Sequence, residues 1–298
     1  MKFGITGNVE RKAILEAVRG VIHTLDRQNI SFVIEDEFAR SLNLPVEGVP
    51  RSELGAVSDM LLAFGGDGTL LYIAKTLGEH EIPILGINAG HLEFLTEMTP
   101  EELPSKIYDL IEKRYTVEKR IMIEARTDSS GSQQILAVND IFIDKSNYER
   151  MIKLALTIDN EMCHTYIANG IIISTATGST AYSLSAGGPI LYPTIDNLLI
   201  NPIYPHTLSA RPMVIPGDFT IEIELQSGPE EVPLNADGHI VTMLKPGNKI
   251  FIRKSSSVLN LVHLPSHSFF KVLSTKLGWG TRNEISNSDS AKDSHAQV

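Results

Sequence analysis

The sequence predicts an α/β amino-terminal domain built on a parallel sheet, joined to a mostly β carboxyl-terminal sandwich domain, and three observations predict it. An apolar run at residues 60–64 meets GGDGT at 65–69 and gives way to Leu70, Leu71, Ala74 and Leu77 at helical spacing. That pattern reads as a parallel strand buried on both faces, a turn and a helix. Strand and helix patterns alternate up to about residue 115, whereas short strands divided by turn residues follow it. At residues 168–193 an apolar strand runs into Ser, Thr, Gly and Ala around a single Tyr182, a composition that cannot build a core.

In chain order, residues 1–7 read as a strand ending in Gly4 and Gly7, followed by a helix with Ile14, Ala17, Val18, Val21, Ile22 and Leu25 on one face. The glycine spacing matches a dinucleotide fingerprint poorly. Residues 31–35 form the next strand, and residues 41–58, with Pro45, Gly48, Pro50 and Gly55, an irregular loop. After the central turn, residues 82–87 are another strand, which places Asn88 and Gly90 on the same rim as Asp67. Thr99, Pro100 and Glu102 spell the start of a helix carrying Leu103, Ile107, Leu110 and Ile111. Residues 1–115 therefore read as a Rossmann-like α/β domain.

Strands are expected at 117–126, 134–143, 151–158, 162–167, 170–174, 218–225, 249–254 and 258–264, with turns at Asp159-Asn160 and Pro246-Gly247. They make residues 116–285 a β-sandwich domain. Its end, residues 272–279, either stays there or returns to the amino-terminal domain, and Trp279 between two glycines is expected to be buried. Residues 286–298 are polar and read as a disordered tail.

Composition excludes several function classes. The 298 residues are 42% hydrophobic with a net charge of −10, and no basic stripe offers a nucleic acid a binding face. No apolar run approaches the ~20 residues that a membrane span needs, and the chain opens on a strand pattern instead of a leader, so a cytoplasmic protein is expected. The lone Cys163 excludes an intrachain disulfide and a cysteine-cluster metal site, and reads as a strand packing residue. Apart from His239, the histidines read as surface or packing residues without a metal-ligand set.

Gly65, Gly66 and Gly68 let backbone amides approach phosphate oxygens at a helix amino terminus, and Thr69 can cap the helix and donate to a phosphate. Asp67 is the odd member: a carboxylate among such amides repels a phosphate unless it binds a metal or takes a proton, which favours phosphoryl transfer over phosphate storage. The bland alternative is an ordinary Gly-Asp turn. In the 168–193 block, small side chains allow close ligand approach and Tyr182 can stack on a base or pack on a ribose; the alternative is a Ser/Gly linker.

GGDGT at 65–69, Asn139-Asp140, NGIIISTATGSTAYSLSAGGPI at 169–190, PHTLSARP at 205–212 and DGH at 237–239 occur in the order of the NAD kinase family, which the chain resembles over most of its length. The GGDGT turn alone also fits diacylglycerol-type lipid kinases and phosphofructokinases. The resemblance implies transfer of a phosphoryl group from ATP, with Mg2+ or another divalent cation, to the 2′-hydroxyl of the adenosine ribose of NAD+, giving NADP+. It also implies a cleft between the two domains and a homodimer or homotetramer that completes the site.

Carried over residue by residue, the resemblance makes Asp67 the general base and gives Gly65, Gly66, Gly68 and Thr69 the donor phosphates, with Asn88 on their rim. Asn139 and Asp140 would take ribose hydroxyls and the nicotinamide carboxamide, and Thr180, Ala181, Tyr182, Ser183, Leu184 and Ser185 the nucleotide-contacting run. Arg150 either approaches the dinucleotide or is a solvated surface charge; Ile167 is a pocket position or core. The chain departs from the family's pattern at Asp140, where Glu is more usual, at Asn169, where Asp is usual, at Ala176 for Pro, at Glu93 for Gly and at His239 for Gln. Glu93 and Asn169 leave room for a different class of protein, a non-catalytic dinucleotide-binding regulator; a lipid kinase would need an apolar surface that 168–193 does not supply.

Overall fold

The computed structural model describes residues 1–77, 80–90, 93–128 and 133–279. Its amino-terminal part is a parallel sheet in the order β2-β1-β3-β4, from β1 (Phe3–Gly7), β2 (Phe32–Ile34), β3 (Met60–Phe64) and β4 (Ile84–Ile87). Every residue of β1, β3 and β4 is buried, as expected for strands covered on both faces. Helix α1 (Lys12–Arg27) buries Ile14, Val18, Val21, Ile22 and Leu25 against this sheet, the stripe its sequence period marks out. Helix α2 (Asp36–Ser41) leads into the connection expected to be irregular at 41–58, but a short helix, α3 (Leu54–Val57), forms inside it, with Leu54 fully buried. Helix α4 (Asp67–Thr76) follows β3 directly, and α5 (Leu103–Ile111) follows the loop after β4.

Chain leaves β1 toward β2 on one side while β3 lies on the other, so the crevice between the carboxyl ends of β1 and β3 is the topological switch point of the sheet. Gly7 and Gly65 end those two strands at φ 152° and 156°. A Cβ on Gly65 would collide with the Thr69 side chain and one on Gly7 with the Phe64 carbonyl, so both positions require glycine.

The carboxyl-terminal part is a sandwich. One sheet, antiparallel, has the order β12-β11-β10-β7-β14-β15, from β7 (Asp140–Asp144), β10 (Gly170–Thr175), β11 (Asn197–Ile203), β12 (Met213–Pro216), β14 (Val232–Ala236) and β15 (His239–Leu244). The other contains β5 (Thr116–Thr127), β6 (Ile135–Ala137), β8 (Ile152–Ile158), β9 (Glu161–Ala168), β13 (Ile221–Ser227) and β16 (Lys249–His263). Ile123, Ile141, Ile143, Leu154, Ile171, Leu198, Ile223 and Leu234 fill the space between them. Asp159 and Asn160 both take positive φ, 45° and 67°, in the tight turn joining β8 to β9.

Three differences from the sequence reading concern the strands. The strand expected at 134–143 breaks at Val138 and Asn139, because their amides donate to the Asp237 carboxylate instead of a strand ladder. The strands β11, β12, β14 and β15 escaped notice; Pro202, Pro216 and Pro233 lie inside three of them and argue against a strand when only local sequence is read. The two strands expected at 249–254 and 258–264 are one, β16, with an irregularity between Lys254 and Val258. It pairs antiparallel with β13 near Ile252 and parallel with β4 at Leu261, so a single sheet runs from the Rossmann-like part into the sandwich.

Two packing expectations are overturned. Cys163 lies on β9 as expected but is exposed, because β9 ends its sheet and its first four residues face solvent. Trp279 is 57% exposed at the end of α7 (Phe269–Lys276), which buries Val272 and Leu273 instead. Among the described residues no helix is long and apolar enough to cross a membrane. The tail expected at 286–298, with His91 and Leu92, lies outside the described residues.

Candidate active site

The phosphate turn stands at the switch point. Asp67 is the first residue of α4, and its carboxylate is held from outside the helix by the loop after β4: the Leu95 amide donates to Oδ1 at 2.8 Å and the Phe94 amide to Oδ2 at 3.2 Å. Burial pushes this carboxyl up to about 6 against those two amides; the Glu93 charge pushes it the same way, and Lys276 of α7 pulls it back. Each oxygen keeps a lone pair free of these amides.

Glu93, one of the departures from the family's pattern, reaches this same turn. Its carboxylate accepts the Asp67 amide N–H, so a side-chain anion caps the amino terminus of α4. Gly66 makes room for it, since a Cβ there would lie 2.6 Å from Glu93 Oε2. The surrounding cleft, about 620 Å3, is lined by the turn residues Gly66, Asp67, Gly68 and Thr69 together with Gly7, Arg11, Arg51, Tyr72, Glu93 and His239. Arg51 is committed on one side to Glu35 at 2.8 Å and to the Gly7 carbonyl at 3.2 Å, and its guanidinium lies 4.9 Å from the centre of the Tyr72 ring.

A second cleft of about 660 Å3 opens on the sandwich, lined by Asn139, Asp140, Phe142, Asp144, Ala181, Tyr182, Asn235, Asp237 and Gly238 among others. Its floor is organised by Asp237, which the sequence reading quoted within DGH without a role of its own. Oδ1 accepts the amides of Asn139 (2.8 Å) and Asp140 (3.3 Å), Oδ2 accepts that of Val138 (3.1 Å), and Lys75 of α4 approaches Oδ2 at 3.1 Å. Burial, and then the charge of Asp237, push the Asp140 carboxyl up to about 7, while Lys75 and the Tyr182 amide pull it down. Tyr182 donates its hydroxyl to Asp144 Oδ2 at 2.8 Å and packs on Phe142 with ring centres 4.8 Å apart. Burial and that hydrogen bond raise the phenol well above its ordinary value.

Asp237 and Gly238 take φ 48° and 79° in the turn between β14 and β15. That turn is where the clefts meet: Gly238 lines the second and His239 the first. The Lys75–Asp237 pair likewise ties the helix behind the phosphate turn to the floor of the second cleft.

The Ser/Thr/Gly block is largely occupied with itself. Thr175 and Ser174 donate to the carbonyls of Val138 and Asn139, Ser179 donates to the Ala176 carbonyl, and Ser183 is buried with its carbonyl and hydroxyl taken by Asn201. Of the expected contact run, Ala181 and Tyr182 line the second cleft, whereas Thr180, Ser183, Leu184 and Ser185 line neither. Gly65 and Asn88 sit behind the phosphate turn, both buried; Asn88 Oδ1 accepts the Gly90 amide at 3.2 Å. Arg150 and Ile167 are exposed, and Asn169, in the β9–β10 turn, has its amide on the Ile203 carbonyl; none of the three lines either cleft. Sequence reasoning missed Lys75 and Asp144. Lys75 falls on a helix face that looks solvated in isolation, and only the approach of the sandwich gives it a partner.

With this geometry described, comparison with known proteins is informative. The family model for the ATP-NAD kinase amino-terminal domain matches residues 3–115, and that for the carboxyl-terminal domain matches 138–264. An NAD kinase of Chlorobium luteolum is 41% identical over 287 residues, 94% of this chain and 98% of that protein. One of Pseudomonas fluorescens is 38% identical over 285 residues, covering 94% and 96%. Among solved structures, yeast NADH kinase complexed with NADH superposes with a TM-score of 0.86 at 27% identity, covering 96% of this chain and 89% of that one. An NAD kinase from Archaeoglobus fulgidus in complex with ATP gives 0.71 at 25%, covering 93% and 99%.

Proposed function

The chain belongs to the ATP-NAD kinase family, and we propose that it transfers the γ-phosphoryl group of ATP to the 2′-hydroxyl of the adenosine ribose of NAD+, with Asp67 as general base. The observation that carries the reading is the Asp67 carboxyl, which stands in the phosphate turn at the switch point with a pKa of about 6. A ribose hydroxyl is a poor nucleophile at neutral pH. A carboxylate poised near the working pH can accept its proton during attack, a contribution of ~10²- to 10⁴-fold. Alignment and charge neutralisation supply the rest.

The remaining roles follow from the two clefts. Gly66, Gly68 and Thr69, with Gly65 shaping the turn, hold the donor phosphates; Asn139, Asp140, Ala181 and Tyr182 hold the acceptor dinucleotide, and His239 stands between. The complexes of the two structural relatives with NADH and with ATP support these substrate classes. A divalent cation such as Mg2+ suits the oxygen-rich lining of the first cleft, which Glu10, Glu37 and Glu93 share with Asp67, and would be held largely by the donor's own phosphates. When bound it would neutralise charge on the transferring group. We further assign the enzyme to the cytoplasm, as a homodimer or homotetramer.

The test is NADP+ formation from NAD+, ATP and Mg2+ by the purified protein beside Asp67→Asn. Turnover by the parent alone, with NAD+ binding retained in the variant, is expected. Near-normal turnover by Asp67→Asn would sink the base assignment. One observation favours the non-catalytic regulator: Glu93 already occupies an amide at the phosphate-binding helix end. NAD+ binding without turnover in the parent would establish that alternative.

A further inference from the structure

We propose that Glu97, His263 and His267 form a binding site for a transition-metal dication of the zinc type, which fastens the lead-in to α7 onto the loop after β4. The three residues come from separate parts of the fold. Glu97 follows β4, its amide donating to the Gly86 carbonyl at 2.8 Å; His263 is the last residue of β16, and His267 lies in the turn before α7. The inference is independent of the phosphoryl-transfer reading and concerns a different place in the molecule.

The geometry is convergent. Both Nδ1 atoms approach the same carboxylate oxygen, Glu97 Oε2, His263 at 2.7 Å and His267 at 2.8 Å. The candidate ligand atoms all lie within 4.8 Å of one another. The site is also sheltered: side chains of Glu97 and His263 are 4% exposed and that of His267 13%. Two imidazoles and one carboxylate are the donor set that zinc and its neighbours in the first transition row favour, and a fourth position remains for water. Mg2+, which prefers an all-oxygen shell, does not match it.

The surroundings have the arrangement that orients metal ligands. Glu97 Oε1 accepts the Leu264 amide at 3.0 Å, leaving Oε2 for the centre. On the far side of the His263 ring, Nε2 faces Glu118 Oε2 at 3.4 Å, and Glu118 is itself gripped by the buried Arg120 at 2.7 and 3.1 Å. A carboxylate behind a histidine fixes which ring nitrogen is free to bind a cation.

The hydrogen-bond inventory without a metal is less satisfactory. Both rings must then carry a proton at Nδ1 to donate to one shared oxygen, while they stack with centres 3.7 Å apart at 26°. In the same arrangement the buried Nε2 of His263 has no hydrogen-bond partner. A dication would take the place of both Nδ1 protons, while the Nε2 edge of His263 keeps facing Glu118 as it does now. Zinc–nitrogen and zinc–oxygen bonds of ~2.0–2.2 Å put tetrahedral ligands ~3.3 Å apart, so the two Nδ1–Oε2 separations need open by only about half an ångström. His267, on a turn and the most exposed of the three, is the residue that moves.

The spacing His263-x3-His267 was present in the sequence, but its third ligand lies 166 residues away, and the strand that ends at His263 was not seen as joining the amino-terminal sheet. That junction brings Glu97 to the pair.

The experiment uses the tag-free full chain, stripped with a chelator and titrated with Co2+ alone, followed by Zn2+ in competition. One equivalent of Co2+ per chain with the visible absorption of a tetrahedral ion, displaced by Zn2+, is expected, together with a higher Tm in Zn2+. His267→Gln, chosen because His263 is buried and its loss threatens folding, should weaken Co2+ binding at least tenfold; Glu118→Gln should weaken it ~10- to 100-fold. Asp67→Asn should bind Co2+ as the parent does, which separates this site from the phosphate cleft. No stoichiometric binding, or binding that His267→Gln leaves unchanged, overturns the proposal and leaves an ionic cluster in its place.

Discussion

Replacing Glu93 with Gln tests how the chain sets the Asp67 pKa. Glutamine keeps a carbonyl oxygen for the Asp67 amide and removes only the charge, so the change is electrostatic at nearly constant shape. Asp67 is raised from 3.8 to about 6, with burial the largest cause and the Glu93 charge a smaller one in the same direction. Removing that charge should therefore recover part of the rise, taken as ~0.5–1 unit, or on the order of 1 kcal/mol.

The sign follows from the role. A base acts when deprotonated, so kcat/KM of the parent should fall as pH drops through about 6, and the acid limb of Glu93→Gln should sit ~0.5–1 unit lower. The same substitution frees the positive end of α4 from a competing anion. A charge at a helix amino terminus is worth ~0.3–1 kcal/mol, so the KM for ATP should fall roughly two- to fivefold. The assay is steady-state NADP+ formation across pH in a constant-ionic-strength buffer. An acid limb that stays in place, or moves up, would refute the argument that Glu93 helps hold Asp67 near neutrality.

Two further substitutions probe the second cleft. Asp237→Ala removes a buried acceptor for three amides and strands Lys75, and should cost about 3–5 kcal/mol, read as a lower midpoint in urea unfolding. Tyr182→Ala removes the ring over the cleft and should raise the KM for NAD+ by the ~1–3 kcal/mol that stacking on a base supplies, about 5- to 150-fold, with kcat little changed; unchanged KM would take Tyr182 out of the acceptor site.

The sequence was most informative where the chemistry is local. The GGDGT turn is legible because Gly65, Asp67 and Thr69 are neighbours in the chain and the strand and helix around them have clear periods. The 168–193 block was legible as unusual, but its hydroxyls turn inward: Ser174, Thr175, Ser179 and Ser183 satisfy backbone carbonyls or Asn201, and Tyr182 is left to face the cleft. Its small residues let the segment after β10 pack tightly under Asn139, where a Cβ on Gly178 would collide with the Asn139 carbonyl oxygen, rather than offer a row of ligand donors. What could not be read is every feature made by two distant segments. The break at Val138 depends on a carboxylate 99 positions later, and Lys75 gains its partner only when the sandwich closes on α4.

Those distant ties also constrain how the clefts can work. Strand β16 joins the two parts through backbone pairing with β4, and the Lys75–Asp237 pair joins them again where the Gly238–His239 turn separates the clefts. Two connections, one a shared sheet and the other an ion pair on the buried Asp237 carboxylate, resist a hinge rotation, because opening it would expose Asp237 or break the strand pairing. The GGDGT turn and the floor of the second cleft are therefore tied together at two places, and under the proposed reaction those ties would align donor with acceptor. On the proposed mechanism the donor phosphate would displace Glu93 from the Asp67 amide, while the Phe94 and Leu95 amides keep hold of the Asp67 carboxylate. Because Glu93 and that grip lie in one segment, displacement of Glu93 by the donor would reach Asp67 directly, coupling donor binding to the readiness of the base.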